Sequence, residues 1–136
     1  MKIESALLIA EMLQLTEQST AVAQKLQLLS DLQLNFKENP DTWSILECIE
    51  HLNRYGDYYL PEIQSQILAQ KAGHVSPIFK SGLLGNYFAG LMQVQNGKMK
   101  KMKSPKDKNP SQSTLTRLTI DRFLKQQELL QSLLLQ

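Results

Sequence analysis

The sequence predicts an all-α fold, an up-and-down bundle of long helices within a single domain that spans residues 1–136. Three long stretches repeat apolar residues every three or four positions, which is the period of one helix face. Five of the six glycines and three of the five prolines lie between residues 71 and 110. We therefore expect a glycine- and lysine-rich connection at about residues 71–112, between the second and third long helices.

The first long helix is predicted over residues 2–32, where neither glycine nor proline interrupts a run of good helix formers. A near-heptad stripe marks its inner face, with Ser19 in the one polar gap: Leu8, Met12, Leu15, Val22, Leu26 and Leu29. This stripe is typical of a bundle helix that buries one face. A coiled-coil contact with a partner is the alternative.

The second long helix is predicted over residues 43–70, after the turn residues 39–41. Ser44 and Glu47 have the spacing of a capping box, and Trp43 lies where an apolar side chain can staple the helix entry to the core. Asp41 is the alternative cap. One apolar face follows: Ile45, Ile49, Leu52, Tyr55, Tyr59 and Ile63.

Two residues weaken this second helix. Pro61 removes one backbone hydrogen bond, so we expect either a kink near Asp57 or a break into two helices. Gly56 lowers helix stability by about 1 kcal/mol relative to alanine.

A short helix over residues 82–94 and a third long helix complete the predicted elements. The third long helix is expected to start near Ser113 or Thr114 and to run to the end of the sequence. Its predicted inner face consists of Leu115, Leu118, Phe123, Leu130 and Leu134.

The composition is that of an ordinary soluble globular protein, with 42% apolar and 21% charged residues. No apolar run approaches the roughly 20 residues of a membrane helix, and the N-terminus lacks the layout of a signal peptide. The single cysteine excludes an intrachain disulfide and fits a reducing compartment. We therefore expect a cytoplasmic protein without a membrane segment.

The residues Trp43, Ser44 and Glu47, followed by the step from Glu50 through His51 to Leu52, resemble the second-helix signature of the DinB-like (DinB/YfiT) superfamily. The run over residues 79–88, followed by a lysine-rich loop, is also similar to that family. The resemblance extends over residues 1–136, and the step that contains His51 is its most specific part.

The resemblance implies a four-helix bundle. Many members hold a divalent metal ion with three histidines, one on the second helix and a His-x-x-x-His pair on the last, and some are hydrolase-like enzymes or thiol-dependent transferases. By this resemblance His51 matches the first ligand of a nickel- or zinc-type ion. The sequence contains no His-x-x-x-His. We therefore expect three long helices, a fourth that is missing or supplied otherwise, and an incomplete metal site.

Other side chains are weaker candidates for this site. Glu47 lies one turn before His51 and is either a second ligand or spent on the helix cap. His74 lies in a loop and is either exposed or able to reach the mouth of the site, and the exposed position is favoured. Cys48 could pair with His51 as a thiolate, but its place on the apolar side favours a buried, unreactive thiol. Glu50 and Asp57 are expected to be solvated.

Two classes of function remain open. The first is a metal-dependent hydrolase or thiol-dependent transferase-like protein that acts on an undefined small-molecule or thiol substrate. The second is a non-catalytic helical module for binding or oligomerisation, without metal. The missing fourth helix would leave an apolar groove open, so we expect a homodimer in which each copy covers the open face of the other.

Residues 98–108 carry six lysines and one aspartate. We interpret this run as a mobile, solvated loop. No aromatic residue interleaves with the lysines, so nucleic-acid binding is not expected.

Overall fold

The computed structural model describes residues 2–70, 76–92, 103–111 and 113–136. The elements, in chain order, are β1 (Lys2–Glu4), α1 (Ser5–Leu26), α2 (Asp31–Asn35), α3 (Ile45–Ala69), β2 (Ile78–Lys80), α4 (Leu83–Met92) and α5 (Leu118–Leu134). One turn of 3-10 helix covers Lys106–Lys108. The predicted all-α class is confirmed, with three long helices and one small two-stranded sheet in the described residues.

The first predicted helix is divided into two. It ends at Leu26, and Ser30 starts α2 with a capping box in which the side chains of Ser30 and Gln33 bind each other's backbone amides. The Arg117 guanidinium donates to the carbonyls of Gln27 and Leu29 in the intervening turn. These bonds stabilise the turn at the end of α1. The prediction of one continuous helix over residues 2–32 was therefore wrong.

The sheet was not predicted. β1 pairs antiparallel with β2, and Ile3 lies opposite Phe79. Just after β1, the Ser5 amide donates to the Pro77 carbonyl and the Ser5 hydroxyl donates to the Ser76 carbonyl. Strands of three residues are too short to show an alternating pattern, so the sequence carried no signal for them.

The second predicted helix is confirmed as α3, and Ser44 is its N-cap. Pro61 lies inside α3, which continues to Ala69, so the alternative of two separate helices was wrong. The short predicted helix is also confirmed, as α4. None of the described helices is long and apolar enough to cross a membrane.

The core lies where α5 packs against both α1 and α3. Its buried members come from four helices: Ala23, Leu34, Leu46, Ile49, Ile120 and Phe123. α5 begins at Leu118, later than predicted. Residues 113–116 have no regular secondary structure, and the Ser113 hydroxyl accepts a hydrogen bond from Arg54. Phe123 is buried as predicted, whereas Leu118 is 72% exposed and does not belong to the inner face.

The faces that pack on α5 differ from the predicted apolar stripes. On α1 the buried residues are Thr16 and Ala23, and on α3 they include Asn53. The predicted members that are exposed instead are Met12, Leu15, Val22, Leu52, Tyr59 and Ile63. The prediction counted only apolar residues, whereas the Thr16 hydroxyl donates to the Met12 carbonyl and the Asn53 amide donates to the Thr119 carbonyl. The Asn53 Oδ1 atom is buried without a hydrogen-bond partner among the described residues.

Gly56 has a packing role in the contact between α3 and α5. A Cβ at this position would collide with the Gln126 side chain. Because that space is free, the Gln126 amide donates to the Asn53 carbonyl, at 3.1 Å, and to the Asp57 carboxylate, at 2.8 Å. The glycine that weakens α3 therefore permits close contact with α5.

Candidate functional site around His51

His51 lies near the start of α3, where its ring is anchored to the backbone. Its Nδ1 lies 2.7 Å from the carbonyl oxygen of Lys108. A carbonyl oxygen only accepts hydrogen bonds, so Nδ1 must carry the proton. The neutral imidazole then has an unprotonated Nε2, which can accept a hydrogen bond or bind a cation.

Two aromatic rings hold the imidazole in place. The centroid of Trp43 lies 4.9 Å from that of His51, and the centroid of Tyr55 lies 5.0 Å away, edge to face. Trp43 also donates from Nε1 to the Ser111 hydroxyl at 3.1 Å. The half-buried His51 ring is therefore restrained by packing on two sides as well as by its hydrogen bond.

The segment formed by residues 103–111 and 113, here called the docked loop, is held against α3. The Arg54 guanidinium donates to the Asn109 carbonyl at 2.6 Å and to the Ser113 hydroxyl at 3.0 Å. The Lys108 ammonium lies 5.5 Å from the ring centroid of Tyr58, within cation–π range. In the described part of the lysine-rich run, Lys103 and Lys106 are exposed, as expected of a solvated loop, whereas Lys108 packs on Tyr58 and its carbonyl binds His51. The expected mobility stays a prediction. The prediction also included Lys98, Lys100 and Lys101, which lie outside the described residues.

The Glu47 side chain stabilises the N-terminus of α3. Its carboxylate accepts a hydrogen bond from the Ser44 amide at 2.9 Å and forms an ion pair with Lys37 at 2.7 Å. The side chain is buried at this position. The structure thus bears out the helix-cap alternative for Glu47.

Glu50 was expected to be solvated, and this prediction was wrong. It is only 8% exposed, and its carboxylate accepts from Arg54 Nε at 3.0 Å and from Arg122 at 3.1 Å. Arg122 also donates to Asp57, which is exposed but paired. The i, i+4 spacing of Glu50 and Arg54 was a usable signal. Arg122 lies 72 residues from Glu50 in the sequence, so no local pattern indicated that these two residues pair.

Cys48 is exposed on α3, so its predicted place on the apolar side was wrong. Neighbouring atoms still shield the sulfur from water, and this desolvation raises the pKa of the thiol. The negative charge of Glu47 raises that pKa further. The thiol is therefore protonated at neutral pH, which disfavours a thiolate–imidazole pair with His51.

The donor set for a metal ion is limited within the part of the chain that the structure describes. There, no three side chains of His, Cys, Asp or Glu converge into a group that could hold an ion. His74, the weaker histidine candidate, lies outside the described residues. The geometry around His51 thus fits one imidazole ligand, and the described residues do not complete a site.

The fold and this site define a helical domain with an anchored histidine near the start of its second long helix. A family model described as the DinB superfamily matches residues 14–135. The chain belongs to the DinB superfamily, which confirms the family inferred from the residues around Trp43 and His51. No curated protein and no solved structure matches the chain.

Proposed function

We propose that this member of the DinB superfamily is a divalent-metal-dependent hydrolase or thiol-dependent transferase-like protein. In this proposal, His51 supplies one ligand to a nickel- or zinc-type ion. The observation that carries the proposal is the hydrogen bond from His51 Nδ1 to the Lys108 carbonyl oxygen. The substrate class is a small molecule or a thiol.

This hydrogen bond is the arrangement that metal-binding histidines usually have. Such residues donate one ring N–H to a carbonyl or carboxylate, which fixes the tautomer and orients the other nitrogen toward the ion. In this chain Lys108 provides the carbonyl, and the rings of Trp43 and Tyr55 restrict rotation of the imidazole. The lone pair of Nε2 is therefore available for an ion.

The proposal requires further ligands from elsewhere. Glu47 accepts from Lys37 and the Ser44 amide, and Glu50 lies between two arginines. Moving Glu47 to an ion would leave the buried Ser44 amide without its acceptor, and moving Glu50 would take the shared carboxylate away from Arg54 and Arg122. The remaining ligands would come from residues outside the described ranges, among them His74, or from a second copy of the chain.

A bound ion of this type lowers the pKa of a coordinated water or thiol and polarises a substrate oxygen. The Lys108 carbonyl would orient His51, and Trp43 and Tyr55 would keep the two sides of the imidazole that they cover apolar. The raised pKa of Cys48 makes its thiol a poor nucleophile at neutral pH. We therefore place any reacting thiol on the substrate.

The test is elemental analysis of protein purified without chelator or affinity metal. We expect a near-stoichiometric ion in the wild type and at least a tenfold loss of the ion in His51→Ala, with unchanged helical circular dichroism. His74→Ala, measured in the same way, shows whether the second histidine contributes a ligand. Metal uptake that survives in His51→Ala would contradict the assignment.

A second candidate is a non-catalytic helical module for binding or oligomerisation, without metal. The observation that favours it is that His51 and Arg54 both fasten the docked loop to α3. In this role His51 stabilises local structure and needs no ion. A metal-free wild type, together with faster amide hydrogen exchange of residues 103–111 in His51→Ala, would support this candidate over the first.

A further inference from the structure

The exposed side of α1 carries an apolar stripe that no described residue covers. Met12 is 36% exposed, Leu15 is 53% exposed and Val22 is 56% exposed, so three members of the predicted heptad stripe face solvent. They lie three and seven residues apart, which places them on one side of the helix. Ser19 is the one polar residue within the stripe.

The heptad positions on the two sides of this stripe differ, because those on one side are buried and those on the other are exposed. With Met12 and Ser19 at position a and Leu15 and Val22 at position d, the e positions are Thr16 and Ala23, both buried within the fold. The g positions are Glu11, Gln18 and Lys25, and all three are exposed. Neither Glu11 nor Lys25 forms a salt bridge within the described ranges. Only the g side of the stripe can therefore present charges to a partner helix.

The geometry points to a second copy of this chain as the partner that covers the apolar stripe. In this dimer the two α1 helices pack antiparallel. In parallel coiled coils a g residue faces an e residue of the partner, and here the e side is already buried. In an antiparallel pair centred near Gln18, g faces g. Glu11 then lies opposite Lys25 of the second copy, and the twofold axis repeats this ion pair.

The expected association is weak. α1 has 22 residues and is about 33 Å long, so the stripe covers less surface than the roughly 800 Å² per partner of a standard interface. Ser19 adds a polar gap at its centre. We expect a dissociation constant on the order of micromolar to tens of micromolar.

The test is sedimentation equilibrium of the full chain over about 1–200 µM. We expect Glu11→Lys to weaken dimerisation about tenfold, since it replaces two attractive pairs by two Lys–Lys contacts. Lys25→Glu should weaken it similarly, and the double charge reversal should restore it. Glu17→Lys is the matched control, because exposed Glu17 lies on the opposite side of α1 and should leave dimerisation unchanged.

Three outcomes would overturn the inference. One is a chain that remains monomeric throughout the concentration range, because the expected dissociation constant lies within it. The second is a dimer that Leu15→Asp leaves intact. The third is a dimer that EDTA dissociates, because a shared metal ion would then hold it, whereas the α1 contact needs none.

Discussion

At the scale of single residues, the ionic contact between α3 and α5 centres on the buried carboxylate of Glu50. Arg54 approaches it from the same helix and Arg122 approaches it from α5. A buried carboxylate loses its hydration, and these charged hydrogen bonds offset that loss. Removing the negative charge leaves Arg54 without this carboxylate partner and leaves Arg122 with Asp57 alone of its two carboxylates.

We predict that Glu50→Gln lowers the free energy of unfolding by about 2–3 kcal/mol. The amide keeps the size of the side chain but loses the charge that both guanidinium groups bind. Urea denaturation followed by circular dichroism measures the change. Glu62→Gln, at an exposed position of the same helix, is the control and should shift stability by less than about 0.5 kcal/mol. Equal effects of the two changes would contradict a special role for Glu50.

The residue-level predictions succeeded where the determining contact is local. The pairing of Ser44 with Glu47 was visible because the two residues lie three positions apart. The burial of Glu50 depends on Arg122, and the exposure of Cys48 depends on which face of α3 meets α5. Both facts require tertiary structure, so no local pattern in one sequence contains them.

At the scale of elements, the N-terminus of α3 is the best-determined helix end. The Ser44 hydroxyl accepts from the Glu47 amide at 3.2 Å, and both residues are buried. On α2, Ser30 makes the same kind of cap at an exposed site. The two caps therefore allow one interaction to be compared in two environments.

We predict that Ser44→Ala lowers the free energy of unfolding by about 1–2 kcal/mol, because a buried backbone amide loses its acceptor. Ser30→Ala should cost less, about 0.5 kcal/mol, since water can replace the hydroxyl at an exposed helix end. Thermal and urea unfolding of the two variants give the comparison, and Ser44→Thr, which keeps the hydroxyl acceptor, should retain most of the stability. A larger loss from Ser30→Ala than from Ser44→Ala would contradict this account.

Helix limits were predictable where capping residues mark them. The start of α3 follows from the residues around Ser44. The end of α1 was missed, although Ser30 and Gln33 have the spacing of a capping box and could have revealed the start of α2. The start of α5 has no side-chain cap, so the sequence placed it several residues too early.

At the scale of the whole molecule, α5 joins the other long helices, since α1 and α3 each pack mainly on it. Ile120 is fully buried at this junction. Arg117, at the start of α5, adds an ion pair with Asp31 of α2. Loss of packing at α5 should therefore affect both sides of the fold together.

We predict that Ile120→Ala lowers the free energy of unfolding by about 2–5 kcal/mol through the cavity it leaves. Native-state hydrogen exchange should show α1 and α3 losing protection by similar amounts, because both depend on α5. Leu118→Ala, at an exposed position of the same helix, should change stability little. Loss of protection in only one of the two helices would show that they unfold independently.

The all-α class and the family were predictable because they depend on helical periodicity and on the short motif around His51. The mutual arrangement of the helices was not, because their contact faces include Thr16 and Asn53 as well as apolar residues. Periodicity identifies a helix and its apolar side. It does not identify which neighbour that side meets, and on α1 the apolar stripe remains exposed.

The position of α5 in the chain has a consequence during synthesis. α1 and α3 leave the ribosome first, yet the core residues Ile120 and Phe123 belong to α5, and Arg122 of that helix completes the pairing of Glu50. Until α5 emerges, the nascent chain exposes the sides of α1 and α3 that will later be covered. This part of the fold can therefore form only after α5 has been synthesised, which makes the incomplete chain a candidate client for ribosome-associated chaperones.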